Sequence, residues 1–466
     1  MTKTRTTWAT TQTTRPIPGL PEMPPAQVRT LARRVGFEQR TNRGIDANAF
    51  VAAVLTEAVQ GAPSFNDLAA RIAANTGRHV SRQAVAQRTD HTSVRLLDGV
   101  LAKALEFRLP AGLDLAGWCA EHFQRHLLQD STIVQLPARL YGVFSGVANG
   151  QHRTCHARIQ CVYDLRAGGF LGFAIDPYSK NDIAAAPSLE LRAGDLVLRD
   201  RGYLSYDEIQ RHVAADAHCI YRHKHGFIYL DADTGQPLDL AALLPPQGTL
   251  DRDVRLNNPE RTKIRLLAVP VDEETANRRQ QKLKKQMKGH RPSAELLRQQ
   301  RWTIFLTTIP AALASFATIL ALYALRWRIE IIFKTWKSSL NFAALHHVSE
   351  HQLRLLLTAR LISIVAFYHG IYAPACGRIQ RDHNKILSAV KVIRYLAKHT
   401  DQLPALAIAL ADPTGHHPVL AALARYCCYD RRRRRNFYQQ WEALRQVGPA
   451  PPPATPTAPQ PVALGS

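Results

Sequence analysis

The sequence predicts a mixed α/β domain flanked by helical regions, and three patterns carry that prediction. Runs of alternating, β-rich residues begin near residue 127. A strand–helix–strand pattern follows them, as a mixed sheet requires. Helical periodicity occupies the chain before about residue 123 and again after residue 342.

Taken in order, residues 1–24 are Thr- and Pro-rich and read as a flexible leader. A helical DNA-binding domain is expected over 25–123. In it, SFNDLAARIAANTG is followed by HVSRQAVAQRT, with Ser81 placed to cap a short helix after a Gly77 turn. Two helices joined through a glycine suit a helix-turn-helix, in which Arg82, Gln83, Gln87 and Arg88 would face DNA. The connection is longer than the compact motif uses, so a plain helical bundle stands as the alternative.

LLQDSTIVQL, RTCHARIQCVYDL and GGFLGFAID, separated by Gly- or Pro-containing turns, predict a three-stranded meander. DLVLRD is a short apolar strand ending in an acid, SYDEIQRHVAADA a helix capped by Ser205, and HCIYRHK the next strand. The stretch at about 226–301 is far longer than an α/β loop. It alternates like strands, then turns basic in RRQQKLKKQMKGHRPSAELLRQQR, and reads as a β-rich insertion in a central domain over 124–375. A helical C-terminal region spans 376–447 and contains RRRRRNF; a Pro-rich tail, 448–466, is expected to be disordered.

A net charge of +23 and a pI near 10.1 call for a polyanionic partner, most simply DNA, although a ribosomal or membrane-surface protein is as basic and charge alone leaves the choice open. No run reaches the ~18–20 uncharged apolar residues of a membrane span; the longest candidate, 311–325, is closed by Arg326. The N-terminus lacks the apolar core of a secretory signal, so a cytoplasmic protein without membrane association is expected. Seven scattered cysteines with no CxxC pair fit reduced thiols and argue against structural zinc.

Tyr323, Arg326, Glu330 and Lys337 recur at i, i+3, i+7 and i+14 in YALRWRIEIIFKTWK. On a continuous helix they would form one stripe roughly 60° wide. The opposite side takes Leu322, Leu325, Ile329, Ile332, Phe333, Trp336 and Leu340 as an apolar face. One acid between two cations and a phenol suits a metal-binding carboxylate beside phosphates, although a merely solvated helix face gives the same stripe.

The spacing Y-x2-R-x3-E-x6-K resembles the YREK motif of the insertion-sequence-four family of bacterial DDE transposases. LVLRDRGYL (Asp200, Arg201, Gly202, Tyr203) is similar to that family's second-aspartate motif, and LLQDSTIV (Asp130, Ser131, Thr132) to its first. The resemblance runs from about residue 40 to about 400. It implies that the central domain is a ribonuclease-H-like mixed sheet with a β-rich insertion. It implies a catalytic, metal-binding trio, Asp130, Asp200 and Glu330, that uses Mg2+ with Mn2+ as a substitute. Asp130 rests on a short match, and Asp164 and Asp176 are its substitutes.

By the same resemblance Tyr323, Arg326 and Lys337 hold DNA phosphates, with Lys334 assisting, and Arg222 and Lys224 are further contacts. Trp302 matches a family tryptophan that receives a flipped base; a core indole at the start of a strand is the competing explanation. The basic runs 278–301 and 431–435 are expected to bind phosphate without reading sequence, solvated charge being the alternative. HVSEH (residues 347–351) fits the H-x-x-E-H pattern of some zinc proteases, but no distant third ligand accompanies it. The expected function is a transposase that binds terminal inverted repeats of double-stranded DNA and carries out cut-and-paste transposition as a homodimer on paired ends, in the nucleoid. A stand-alone metal-dependent DNA nuclease on this fold and a non-catalytic DNA-binding derivative are the rivals.

Overall fold

A computed structural model of the chain describes residues 23–39, 45–107, 113, 117–149, 152–187, 189–287, 290–339, 342–343, 345, 348–412, 414–433 and 435–447. The leader up to residue 22 and the Pro-rich tail therefore lie outside the described residues, as do Leu340, His347 and Arg434. Two compact units interleave along the chain. The first takes its residues from Met1–Asp114, Leu127–Leu189 and Trp327–Arg434; the second takes them from Leu115–His126, Glu190–Arg326 and Arg435–Ser466.

The first unit joins an antiparallel sheet to helices from both ends of the chain. Its strands are β1 (Arg125–Gln135, from Leu127 onward), β2 (Ser145–Asn149), β3 (His152–Asp164) and β4 (Gly169–Pro177). β3 pairs with β1 from Leu127↔Asp164 to Gln135↔His156, with β4 from Ala157↔Pro177 to Asp164↔Gly169, and at its start with β2. The meander is the one the alternating runs predict. β2 is additional; SGVAN is too small and too weakly alternating to signal a strand.

The core helix of this unit, Glu350–Phe367, is apolar nearly all round and packs against Ala47–Gln60 and His91–Glu106. It continues through a single π-turn, Tyr368–Tyr372, into Ala373–His383. Together, Glu350–His383 is long and apolar enough to cross a membrane (mean hydropathy 1.5), yet 89% of that window is buried within the protein. The π-turn directs His369 between two backbone groups: Nε2 accepts the Phe170 N–H (2.7 Å) and Nδ1 lies 2.8 Å from the Phe107 carbonyl, to which it donates in that tautomer. Gly169 allows this approach, because a Cβ there would stand 2.7 Å from His369 Nε2.

Two helices of the first unit occupy the helix-turn-helix stretch: Phe65–Thr76 ends at Gly77 in the left-handed region (φ 69°), and Arg82–Arg88 starts with Ser81 Oγ accepting the Ala84 N–H at 3.2 Å. Arg82, Gln83 and Gln87 are exposed. Arg88 is not available in the same way: it lies over the Phe37 ring at 4.9 Å and donates to the Phe37 carbonyl.

The second unit carries β5 (Asp195–Arg199), β6 (His218–Arg222), β7 (Tyr229–Asp231), β8 (Leu250–Leu256), β9 (Lys263–Pro270) and β10 (Trp302–Thr307), in the order β5–β6–β10–β9–β8–β7. β5 and β6 are parallel and joined by the helix Tyr206–Ala214, whose cap is Ser205 (Oγ to the Glu208 N–H, 3.1 Å). The insertion adds strands to this same sheet: β9 is antiparallel to β10, β8 to β9, and β7 to β8. Its polar helix, Glu273–Gln286, buries only Ala276. An antiparallel meander, then a parallel strand–helix–strand, with helices at both ends, is the content of a mixed α/β, ribonuclease-H-like fold.

Candidate active site

In the first unit, Asp130 sits midway along β1 and Glu330 in the first turn of the helix Trp327–Ser339. Though 330 − 130 = 200 residues apart in sequence, both line one cavity of about 630 Å³, with Ser131, Thr132, Phe333, Lys334, Lys337 and Ser338. Asp130 Oδ1 accepts its neighbour's N–H, that of Ser131, at 2.8 Å. Across the strand pair stands Cys161, whose thiol is pushed well up by burial and by the Asp130 charge. Lys337 donates to the Ile133 carbonyl of β1 (2.8 Å), tying helix to strand, and burial lowers its ammonium below the usual lysine range.

A polar network next to Asp130 has no counterpart in the sequence reading. Ser131 Oγ donates to Asp182 (2.8 Å), Arg158 pairs with the same carboxylate and donates to Ser131 Oγ (3.1 Å), and Gln160 donates to the Asp182 carbonyl (3.2 Å). Its signal was available: Arg158 and Gln160 alternate with Ala157, Ile159 and Cys161 in the strand, where an unpaired charge would be costly if buried. The two substitutes for Asp130 have local structural partners. Asp164 accepts the N–H groups of Arg166 (3.0 Å) and Ala167 (3.2 Å) in a turn, and Asp176 pairs with Lys180.

In the second unit, Asp200 is half-buried immediately after β5 and opens the 3-10 turn Arg201–Tyr203. Behind it Arg199 is buried, donating to Glu208 and, at 3.0 Å, to the Tyr221 hydroxyl. Tyr323 closes the helix Phe316–Ala324 and is buried against Phe305 (centroids 4.9 Å), its hydroxyl 3.5 Å from the Arg199 carbonyl. Burial raises that phenol above its ordinary value. The Arg326 guanidinium lies 5.7 Å from the Tyr323 ring centroid.

The motif therefore does not ride on one helix, as the spacing had suggested. The helix Phe316–Ala324 stops, the N–H groups of Leu325 and Arg326 bond to carbonyls three residues back, and a second helix begins at Trp327. Such tight bonding is how one helix commonly gives way to another. The hydrophobic phase passes through the break unaltered: Leu322, Leu325, Ile329, Ile332 and Trp336 are all fully buried. What the stripe missed is Arg328, 1% exposed, which donates to the hydroxyls of Tyr429 (3.0 Å) and Tyr372 (2.5 Å).

Trp302 begins β10 and is 8% exposed. By strand alternation it shares a face with Ile304 and Leu306, whereas Thr303 and Phe305, against which Tyr323 packs, belong to the other. Arg222 ends β6 opposite Phe305, half-buried, and Lys224 is exposed just beyond it. Part of HVSEH lies outside the described residues; Glu350 within it accepts from Arg354 at 2.8 Å.

Among the described residues, no group of three or more His, Cys, Asp and Glu side chains is gathered tightly enough to hold a metal ion. Two carboxylates on one cavity wall do suit a hard divalent cation, which takes oxygen ligands and completes its shell with water or substrate.

The family model described as Transposase DDE domain matches residues 121–366, which takes in both aspartates and the glutamate. Curated relatives include the transposases for insertion sequence elements IS231B (24% identical over 402 residues, 81% of this chain and 84% of the relative) and IS231C (26% over 404 residues, the same shares), both from Bacillus thuringiensis subsp. berliner. A third, for IS1151 of Clostridium perfringens, is 23% identical over 64% of this chain and 68% of its own length. Among solved structures, a piggyBac transposase synaptic complex with hairpin DNA aligns over 85% of this chain and 81% of its own, at a TM-score of 0.43 and 9% identity. DDE domains use divalent metal ions, and transposases act on DNA. With more than half its length matched by that model, the chain belongs to the DDE transposases of bacterial insertion sequences.

Proposed function

We propose that this enzyme binds the terminal inverted repeats of its own insertion sequence and moves the element by cut-and-paste excision and strand transfer. The observation that carries the reading is the shared cavity of Asp130, Glu330, Lys334 and Lys337, assembled from opposite ends of the domain. Asp130, Asp200 and Glu330 would hold divalent ions, Mg2+ or in its place Mn2+, and when bound these supply an activated water and relieve charge on the leaving oxygen. Lys334 and Lys337 would neutralise phosphate oxygens at the cavity, Lys337 at a depth fixed by its bond to Ile133. Arg326 offers a planar fork to a phosphate, and Tyr323 braces it from below. Arg222 and Lys224 extend the DNA track. The indole of Trp302, buried with Ile304 and Leu306, serves the core unless DNA draws it out.

Two copies on paired ends, in the nucleoid of the cytoplasm, complete the proposal. The test incubates the full chain with Mg2+, a fragment carrying the element's ends and a target plasmid. Joined products are expected from the wild type, and none from Asp130→Ala, Asp200→Ala or Glu330→Ala, with end binding retained in each. Cuts without joining would establish a nuclease, and binding alone a non-catalytic derivative; either result overturns the proposal. A fully active Asp130→Ala protein would remove Asp130 from the trio.

A further inference from the structure

Arginines of the second unit fall into two classes. Arg125, Arg199 and Arg265 each face a carboxylate, on Asp195, Glu208 and Asp251 respectively. Arg201, Arg222 and Arg279 do not: among the described residues, no hydrogen bond or ion pair joins any of these three to an acidic side chain.

Their positions converge. Arg222 stands directly opposite Phe305 in the β6–β10 ladder, so the two side chains leave the same face of the sheet. Thr303 shares that face. Arg279 reaches it from the helix Glu273–Gln286 of the insertion, with Nη2 donating to Thr303 Oγ1 (3.1 Å) and Nη1 to the Trp302 carbonyl (2.9 Å). Tyr323 covers Phe305 and touches the residue before Asp200, and Arg201 is the residue after it. Burial and then the charges of Arg222 and Arg278, with a smaller part from Arg201, pull the Arg279 guanidinium below its ordinary value against the opposing charge of Asp272.

Cations that outnumber the acids around them, here Asp200 and Asp272, repel one another until a further anion joins them. Arg279 uses two of its five N–H donors on β10, and the remaining donors are fixed in direction by that anchorage. We propose that Arg222 and Arg279 clamp a single phosphodiester group of the bound DNA, with Arg201 at the rim. The insertion thereby contributes a phosphate ligand near Asp200. The clamp rests on the DNA-processing role proposed above and adds to it a residue from the insertion.

Phosphate contacts do not read sequence, so the probe is a short DNA duplex of arbitrary sequence, titrated with the full chain over a range of NaCl concentrations. Each phosphate neutralised adds about 0.9 to the slope of log affinity against log salt. The Arg222→Gln, Arg279→Gln double variant should lower the slope by about 0.9, and either single variant by less, because the remaining cation still faces the same phosphate. Lys263→Gln, which removes an exposed lysine paired with Asp253, should leave it unchanged. If Arg279→Gln does not fold, Arg279→Lys replaces it; keeping the charge, it should hold the slope and weaken affinity several-fold. An unchanged slope in the folded double variant, single variants that each lose about 0.9 with a double variant that loses the sum, or wild-type affinity in Arg279→Lys overturns the clamp alone. Wild-type protein that shows no salt-dependent binding overturns the DNA-processing role itself.

Discussion

In the first unit the most deeply buried arginines lie against neutral acceptors; in the second they lie against carboxylates. Arg360, 2% exposed, donates to the carbonyls of Ala58 (2.9 Å), Phe342 (3.0 Å) and Gly61, and Arg328 to two tyrosine hydroxyls. Burial lowers Arg360 to about 10, so it remains charged at neutral pH. These guanidiniums act as multi-pronged ties between helices, and their acceptors do not titrate in acid. Arg125, Arg199 and Arg265 instead form ion pairs with Asp195, Glu208 and Asp251. The difference teaches where each unit is vulnerable: the first to loss of a tie, the second to acid.

The largest effect expected is on the first unit. Arg360→Ala leaves three carbonyls without that donor and opens a void, which should destabilise the protein by about 3–5 kcal/mol. Urea unfolding measures this, and a loss below about 1 kcal/mol would mean that the carbonyls find other donors.

Acid should test the second unit. Burial lowers His212 and His223 to about 4, against an ordinary value of 6.5. Between those limits the unfolded chain binds protons that the folded one refuses, so stability falls as pH is lowered through that window. Each histidine would contribute about 3 kcal/mol at the bottom of it. Glu208 acts in the same direction lower down, since Arg199 and Arg211 outweigh its burial and hold it below the usual carboxylate range. Asp98 of the first unit is raised by burial and has the opposite sign, losing stability as pH rises. Unfolding curves at pH 7 and pH 4 should show the second unit weakening, and His212→Gln should flatten its dependence. A second unit equally stable at both values would erase the contrast.

Smaller changes sharpen it. Gly169→Ala drives a Cβ into His369 and should cost about 1–3 kcal/mol, while Gly142→Ala, with no atom within 4 Å, should be neutral; a scan of melting temperatures separates them. Ser205→Ala removes the cap of the helix joining β5 and β6 and should cost about 1 kcal/mol, read by the same melt.

Much of the sheet was legible because its strands alternate or run apolar between Gly and Pro turns: β5 and β6 fall within the stretches named for them, and β1, β3 and β4 overrun theirs by only one or two residues. The insertion's strands were visible as alternation, but their continuation of the β5–β6–β10 sheet was not, since pairing partners leave no local pattern. The break at Leu325–Arg326 was invisible for a related reason: the buried residues keep helical spacing on both sides of it. Arg328, Arg360, Arg158 and Asp182 escaped notice because charge ordinarily marks a surface. Only their partners, distant in sequence, make burial tolerable.

The π-turn at Tyr368–Tyr372 makes chain length, more than residue identity, the constraint on this part of the molecule. A deletion of one codon there would let the helix relax to regular winding and rotate everything beyond it by about 100°. Tyr372 would swing away from Arg328, and the grip on the helix that bears Glu330 would slacken without a single side chain of the cavity having been altered. Copies of the element that have drifted by such an indel would be silenced at a distance.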